Sequence, residues 1–278
     1  MNVLGKTALV TGASKGIGRA IALALARNGA KCLILVARNR ERLADTALEV
    51  GALGAEAIPL TLDLAKVVDV DVEIAKAWRD YGPIHLLVNS AGVAHQTPFL
   101  QAQTPQMQAE LSINLMGVYA ITRVMARRMA AMEEGVIVNV SSLMGKVAAP
   151  TMSTYSATKF ALLGFTQALR SELAGHNVRV VSLLPTLTKT DMVNDFDWFK
   201  WVVPVTPEKV ASALIRGLQQ KSPDILVGWQ SYATLWLNRL MPGVTEQLVR
   251  IAAPLPKKDV KTRTRARRRA KPAMVASQ

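Results

Sequence analysis

Between residues 7 and 228 the chain alternates short, nearly unbroken apolar runs with longer stretches whose apolar positions recur every three or four residues. The short runs are 7–11, 31–36, 56–61, 84–89, 136–140, 178–184 and 225–227. Continuous apolarity over five or six residues is what a strand needs when helices cover both of its faces. The longer stretches, 16–28, 40–51, 65–80, 105–132, 153–175 and 207–220, have helical spacing. The last opens with Thr206-Pro207-Glu208, a capping hydroxyl followed by a first-turn proline and an acid. Strict alternation of strand and helix predicts a doubly wound parallel α/β sheet. With neither an internal repeat nor a linker in this region, residues 1–228 are expected to form one domain.

Past Gly228 the pattern changes. Segments 231–240 and 245–253 read as helices separated by Met241-Pro242-Gly243, which predicts a helical extension over 229–256. From Pro254 onward proline, lysine and arginine dominate, and the segment 257–278 is expected to be disordered.

Composition narrows the picture without redirecting it. Half of the 278 residues are hydrophobic, enough to bury the core of a large α/β domain. The net charge is +14, but nine Lys or Arg against one Asp from Lys257 onward account for +8, leaving +6 for the preceding 256 residues. A charge concentrated in one tail says little about the folded part, so no specific nucleic-acid partner is expected. The single Cys32 excludes an intramolecular disulfide and fits a reducing compartment. The start, Met1-Asn2-Val3-Leu4-Gly5-Lys6, runs straight into the first strand, and no run approaches the roughly 18 apolar residues of a membrane span. A soluble, cytoplasmic protein is expected. His85, His95 and His176 lack metal-ligand spacing, so no metal site is expected.

The first strand ends in Thr11-Gly12-Ala13-Ser14-Lys15-Gly16-Ile17-Gly18 and leads into a helix. Glycines between strand and helix allow a tight turn and let backbone amides approach a pyrophosphate at the helix N-terminus. Four further motifs follow in order: Asn89-Ser90-Ala91-Gly92 closing the fourth strand, Asn114 in the next helix, Ser142 after the fifth strand, and Tyr155-Ser156-Ala157-Thr158-Lys159. Over residues 1–228 the chain resembles the short-chain dehydrogenase/reductase family, in which the Rossmann fold carries a nicotinamide dinucleotide. The resemblance implies cofactor contacts at Gly12, Ser14, Lys15, Gly16, Ile17, Gly18, Arg38, Asp63, Leu64, Asn89, Ala91, Gly92, Tyr155, Lys159, Pro185, Thr188 and Thr190. Relatives that prefer NAD place an acid at the end of the second strand. Here Ala37 stands there, with Arg38 beside it and Lys15 in the glycine loop. Two cations and no carboxylate favour a ribose 2′-phosphate, hence NADP(H).

Tyr155 and Lys159, four apart, share a helix face. A phenol titrates near 10, too high for easy proton exchange at neutral pH, and a neighbouring ammonium favours the phenolate. The resemblance implies that Tyr155 gives a proton to a substrate carbonyl oxygen while Lys159 binds the nicotinamide ribose. It also implies that Ser142 orients the carbonyl and Asn114 holds a water linking Lys159 to solvent. The expected activity is reversible reduction of a ketone or aldehyde to the alcohol.

Departures from the family pattern bear on substrate and partners. Thr186 stands where a glycine is usual and Thr188 where Ile or Val is usual, while Thr190 matches. Phe196, Trp198, Phe199 and Trp201 fall in the segment the family uses as a lid, consistent with a bulky apolar substrate or with plain packing. The 229–256 extension resembles relatives acting on lipophilic substrates; with the basic tail it admits peripheral membrane contact, or simply a helical cap. The resemblance implies a homodimer or homotetramer pairing through the helices that carry Asn114 and Tyr155. The alternative function is a non-catalytic NADP(H)-binding regulator whose basic tail holds a partner.

Overall fold

The computed structural model describes residues 1–254. Seven parallel strands, β1 (Thr7–Thr11), β2 (Cys32–Ala37), β3 (Glu56–Thr61), β4 (Leu86–Asn89), β5 (Gly135–Val140), β6 (Val178–Leu184) and β7 (Asp224–Leu226), form one sheet in the order β3-β2-β1-β4-β5-β6-β7. The helices are α1 (Gly16–Arg27), α2 (Arg40–Ala52), α3 (Val67–Tyr81), α4 (Thr104–Leu111), α5 (Val118–Met132), α6 (Ser153–Glu172), α7 (Pro207–Gln219), α8 (Trp229–Leu240) and α9 (Pro242–Ala252).

The unbroken apolarity of the strands follows from burial on both faces. In β1, Ala8 and Val10 pack with α1, α2 and α7, whereas Leu9 points to the other side and packs with α3 and α5. Leu33 and Leu35 of β2 join the first cluster, and Ile34 and Val36 the second. Each face of the sheet therefore has its own core. A buried polar ladder ties the two sides of the site together. Asn89 donates from Nδ2 to Asn139 Oδ1 (2.8 Å) and Thr122 Oγ1 (3.0 Å), and Asn139 donates to Thr166 Oγ1 (2.9 Å). These bonds link β4 and β5 to α5 and α6.

The expected helix 105–132 is interrupted. A wide π turn, Ser112–Gly117, separates α4 from α5 and places Asn114 within it. Asn114 has both ends of its amide on the Val93 backbone: Oδ1 accepts from Val93 N, and Nδ2 donates to Val93 O, each at 2.9 Å. Such turns carry one extra residue and tend to sit at functional positions. Apolar spacing reports which face is buried, not the width of a single turn, so the sequence could not show it. Elsewhere the boundaries shift by one to three residues: α3 starts at Val67 rather than 65, α6 ends at Glu172 rather than 175, and α9 starts at Pro242 rather than 245. Past Gly228 the chain folds into α8 and α9, and residues 255–278, including the basic tail, lie outside the described residues.

Candidate active site

The chain leaves β1 and β4 in opposite lateral directions, so a crevice opens between their carboxyl ends, the place where open α/β sheets bind ligands. A cleft enclosing about 1070 Å³ lies there, lined by Gly12, Ser14, Lys15, Gly16, Ile17, Gly18, Arg38, Asp63, Leu64, Ala91, Gly92, Tyr155, Lys159 and Thr190. Its floor requires glycine. Gly12 has φ +68°, and a Cβ there would sit 2.9 Å from Ala91 Cα; a Cβ on Gly18 would sit 2.3 Å from the Gly12 carbonyl oxygen. Thr11 Oγ1 accepts from Ser90 N and Ala91 N, both at 3.0 Å, and so locks the β1 and β4 termini together. The first turn of α1 has no side-chain cap, leaving its amides directed at the cleft. The hydroxyl of Ser90, which stands where the family usually has a second Asn, is buried without a partner among the described residues.

Three of the expected contacts fall elsewhere. Asn89 is buried and its amide nitrogen is committed to the polar ladder, so its side chain supports the cleft from behind instead of lining it. Pro185 and Thr188 line the neighbouring cleft described below. Lys15 lies at the mouth but is paired with Asp191 Oδ2 (3.3 Å), which also holds Arg42 Nη1 (3.1 Å). Lys15 and then Arg42 hold the Asp191 carboxyl below the usual carboxylate range. Asp63 Oδ1 accepts from Ala65 N at 3.1 Å, turning the chain toward α3 while the residue still lines the cleft.

Deeper in, α6 presents Tyr155 and Lys159. The Lys159 ammonium is buried, donates to Val140 O (3.0 Å), and lies 5.5 Å from the centre of the Tyr155 ring. Burial drives its pKa down to about 8. Loss of water pushes the Tyr155 phenol up to about 12, although the Ser142 hydroxyl works in the opposite direction. Ser142 also accepts from Met144 N (3.1 Å), capping the short turn Leu143–Gly145, so it serves as both cap and site residue. Asn114 Nδ2 reaches Thr158 Oγ1 (3.2 Å), and a Cβ on Gly92 would touch both Asn114 Oδ1 (3.2 Å) and Lys159 Nζ (3.8 Å). Asn114, Ser142, and Tyr155 with Lys159 are thus brought together from three separate stretches of chain.

A second cleft, of about 1260 Å³, continues from Tyr155 on the far side. Its walls are mainly apolar: Met144, Val147, Met152, Leu187, Val193 and Val202 with the rings of Phe196, Trp198 and Phe199. The segment carrying those rings, which the family resemblance marks as a lid, leaves and rejoins the domain through a neck in which Lys189 N donates to Val205 O and Val205 N to Leu187 O, both 2.9 Å. It is also fastened to the loop after β4 by a pair of bonds between Gln96 and the Asp197 backbone (2.9 and 2.7 Å). Three of the four lid aromatics line the cleft; Trp201 does not, and stands 69% exposed.

Residues 6–199 match the family described as short chain dehydrogenase. The chain belongs to that family. It is 35% identical over 192 residues to a 3-oxoacyl-(acyl-carrier-protein) reductase of Synechocystis sp., covering 69% of this chain and 78% of that protein. It is 33% identical over 243 residues to the ketoacyl reductase HetN of Nostoc sp., covering 86% of this chain and 84% of that protein. In structure it is similar to a short chain dehydrogenase from Burkholderia cenocepacia in complex with NADP, with TM-score 0.79 and 27% identity over 92% of this chain and all of the other (100%).

Several site residues of this short-chain dehydrogenase escaped the sequence reading. Arg42 lies one helical turn after Arg38, a spacing that could have marked it. Asp191 directly follows Thr190, but nothing local shows that it reaches back to α1 and α2. The C-terminal helices contribute Gln230, Thr234 and Val249 to the apolar cleft, which their distance in sequence hid. Glu110, on α4, is almost fully buried; it accepts from His95 N (2.6 Å) and faces His95 Nδ1 (3.1 Å), and burial raises its pKa. Its buried charge would also oppose ionisation of Tyr155.

Proposed function

We propose that this dehydrogenase is an NADP(H)-dependent reductase that converts a bulky, apolar ketone or aldehyde to the alcohol, reversibly. One observation carries the reading: Tyr155 lines both the glycine-floored cleft and the apolar cleft, so its phenol lies at their junction. Lys15, Arg38 and Arg42 gather at the end of β2, where Ala37 leaves no carboxylate to repel a 2′-phosphate. A dinucleotide held there would supply the hydride, or accept it in the reverse direction. The chain's own work is proton transfer and orientation. Ser142 hydrogen-bonds the substrate oxygen as negative charge develops on it, and Tyr155 delivers the phenolic proton to that oxygen. The Lys159 ammonium stabilises the phenolate left behind. Asn114, fixed in its π turn beside Gly92 and Lys159, keeps the path to solvent through which the proton is replaced.

The apolar cleft suits an acyl chain, a steroid-like ring system or an aromatic ketone, and the names of the two reductases above agree with the first of these. Exposed Leu111, Met116, Tyr119 and Phe160 on and between α4 and α6 support pairing of this protein with itself through those helices, as a homodimer or homotetramer. Peripheral contact of α8 and α9 with a membrane belongs to the same reading, in a protein that works in the cytoplasm. The test is turnover with NADPH across apolar ketones, aldehydes and 3-oxoacyl thioesters, followed by loss of cofactor absorbance. Tyr155→Phe should lower kcat by about two to four orders of magnitude, the usual worth of general acid–base chemistry, with NADPH affinity nearly intact. No turnover by the wild type on any of these carbonyls, or full activity in the Phe variant, would remove the proposal.

A further inference from the structure

We infer that the outer face of the α8–α9 pair docks on an anionic lipid bilayer, with the basic C-terminal segment supplying the electrostatic attraction. The inference rests on the reading of an apolar-carbonyl reductase for its purpose, and on the exposed surface for its substance. Along α8, Trp229, Tyr232, Trp236 and Leu240 recur at helical spacing and point to solvent, with Trp229 at 71%, Trp236 at 61% and Leu240 at 72% exposure. On α9, Val244, Leu248 and Ile251 do the same, while the polar Thr245 is buried. Apolar residues therefore occupy both sides of these helices: Leu235, Leu237, Val249 and Ala252 are buried or half-buried, and a second apolar stripe faces water. The lid extends the patch, because Gln230 of α8 holds it by accepting from Val203 N (3.0 Å) and donating to Trp201 O (2.9 Å), and Trp201 and Val203 are themselves exposed. A contiguous apolar surface rich in tryptophan and rimmed by polar groups marks an interaction site.

Charge selects the occupant. On the lid and the two helices exposed Lys200, Arg239 and Arg250 are balanced by exposed Asp195, Asp197 and Glu246, so the excess positive charge is that of the C-terminal segment. Three residues beyond Pro254 begins the segment 257–278, with nine Lys or Arg against one Asp. An apolar face with aromatic residues, followed in the chain by a strongly basic segment, complements the acyl and headgroup layers of an anionic membrane. The inner faces of the same helices line the apolar cleft with Gln230, Thr234 and Val249, so a wall one helix thick would separate bound lipid from bound substrate. Docking there would bring the cleft to the pool from which a lipophilic carbonyl is drawn.

The experiment is flotation of the full-length protein with vesicles of phosphatidylcholine alone or mixed with phosphatidylglycerol, at low and high salt, with tryptophan emission recorded. Binding to the mixed vesicles alone, weakened by salt and accompanied by a blue shift, is the expected result. Each lysine or arginine near an anionic surface contributes roughly fivefold, so replacing the nine tail cations by glutamine should weaken binding by more than about a hundredfold. The exposed triple variant Trp229→Gln/Trp236→Gln/Leu240→Gln should lose the blue shift and keep only weak, salt-sensitive binding. Three outcomes would overturn the inference: no flotation with mixed vesicles, a triple variant that binds as the wild type does, or a triple variant that becomes monomeric without lipid where the wild type is dimeric. None of these readouts involves turnover, so a failure here is distinct from a failure of the reductase reading.

Discussion

Replacing Lys159 by methionine should make the cofactor-free enzyme more stable at neutral pH while removing its activity. The Lys159 side chain is buried, and among the described residues its ammonium has one acceptor, the Val140 carbonyl at 3.0 Å. Burial lowers its pKa from the ordinary 10.5 to about 8. At 1.36 kcal/mol per pH unit, that fall corresponds to a cost of ~3 kcal/mol for keeping the charge inside at pH 7. Methionine fills nearly the same volume without the charge, and the Val140 oxygen left unpaired takes back about 1 kcal/mol. The net gain is ~2 kcal/mol, or roughly 4–8 °C in Tm for a domain of this size.

The sign of the pH dependence makes the test specific. Because the folded-state pKa of Lys159 is depressed, the penalty is fully present below about pH 8 and is relieved as pH rises toward 10.5. Over that interval the unfolded lysine keeps its proton and the folded one has lost it. The wild type should therefore close the gap to the variant between pH 8 and 10. Tyr155, held neutral up to about pH 12 in the fold, opposes this only above the ordinary phenol value of 10, where the unfolded chain ionises. Denaturant melts of both proteins, stripped of dinucleotide, at about pH 7 and about pH 9.5 provide the comparison. A variant no more stable than the wild type at pH 7, or an advantage of the same size at both pH values, would refute the account.

Other perturbations probe the rest of the site. Asp191→Asn removes the carboxylate that occupies Lys15 and Arg42, and exposed pairs of this kind are worth about 0–1 kcal/mol. NADPH should bind up to about fivefold more tightly while NADH is unaffected; equal changes for both in fluorescence titrations would speak against competition at the 2′-phosphate. Gly18→Ala places a methyl 2.3 Å from a backbone oxygen that cannot move without disturbing β1, so it should cost about 1–3 kcal/mol and most of the dinucleotide affinity. Melting curves with and without NADPH measure both. Phe199→Ala should raise KM for a bulky ketone by about 10–200-fold, the usual worth of lost apolar pocket contacts, and leave a small ketone's kcat/KM nearly unchanged.

Much of this architecture was legible in the chain because its dominant force is apolar burial. Strands buried on both faces leave unbroken runs, and amphipathic helices leave a period of three to four, so the seven strands and the order of elements could be read directly. The glycine loop was legible for a different reason: Gly12 and Gly18 stand where any side chain would strike backbone, so the residue type records the contact. What stayed hidden depends on which groups meet across the fold. Asn89 matched a motif, yet its amide turns into the Asn139–Thr166 ladder and supports the cleft from behind it. The π turn at Asn114 reflects side-chain bonds to Val93, a partner twenty-one residues away that no local pattern specifies. The exposure of Trp201 beside a half-buried Phe199, two residues away, follows from where Gln230 and Ala252 fasten the lid backbone.

Asp191 shows how these long-range meetings bind the two clefts into one device. It opens the lid's first short turn, yet its carboxylate lies at the mouth of the other cleft, between Lys15 and Arg42. An anion arriving at those cations would compete with it and would free the lid's first turn from Lys15 and Arg42. The neighbouring Thr190 already packs against the glycine loop, where its methyl group would lie 3.1 Å from a Cβ on Gly16. Filling of the cation-flanked cleft would thereby be felt by the wall of the apolar one. On this arrangement a 2′-phosphate changes the lid as well as the affinity, so NADPH and NADH should differ in their effect on KM for a bulky carbonyl. In Asp191→Asn that difference should shrink, because the lid is no longer held by the cations that the phosphate takes. A KM difference between the two cofactors that is the same in wild type and Asp191→Asn would show that the lid does not respond to the phosphate.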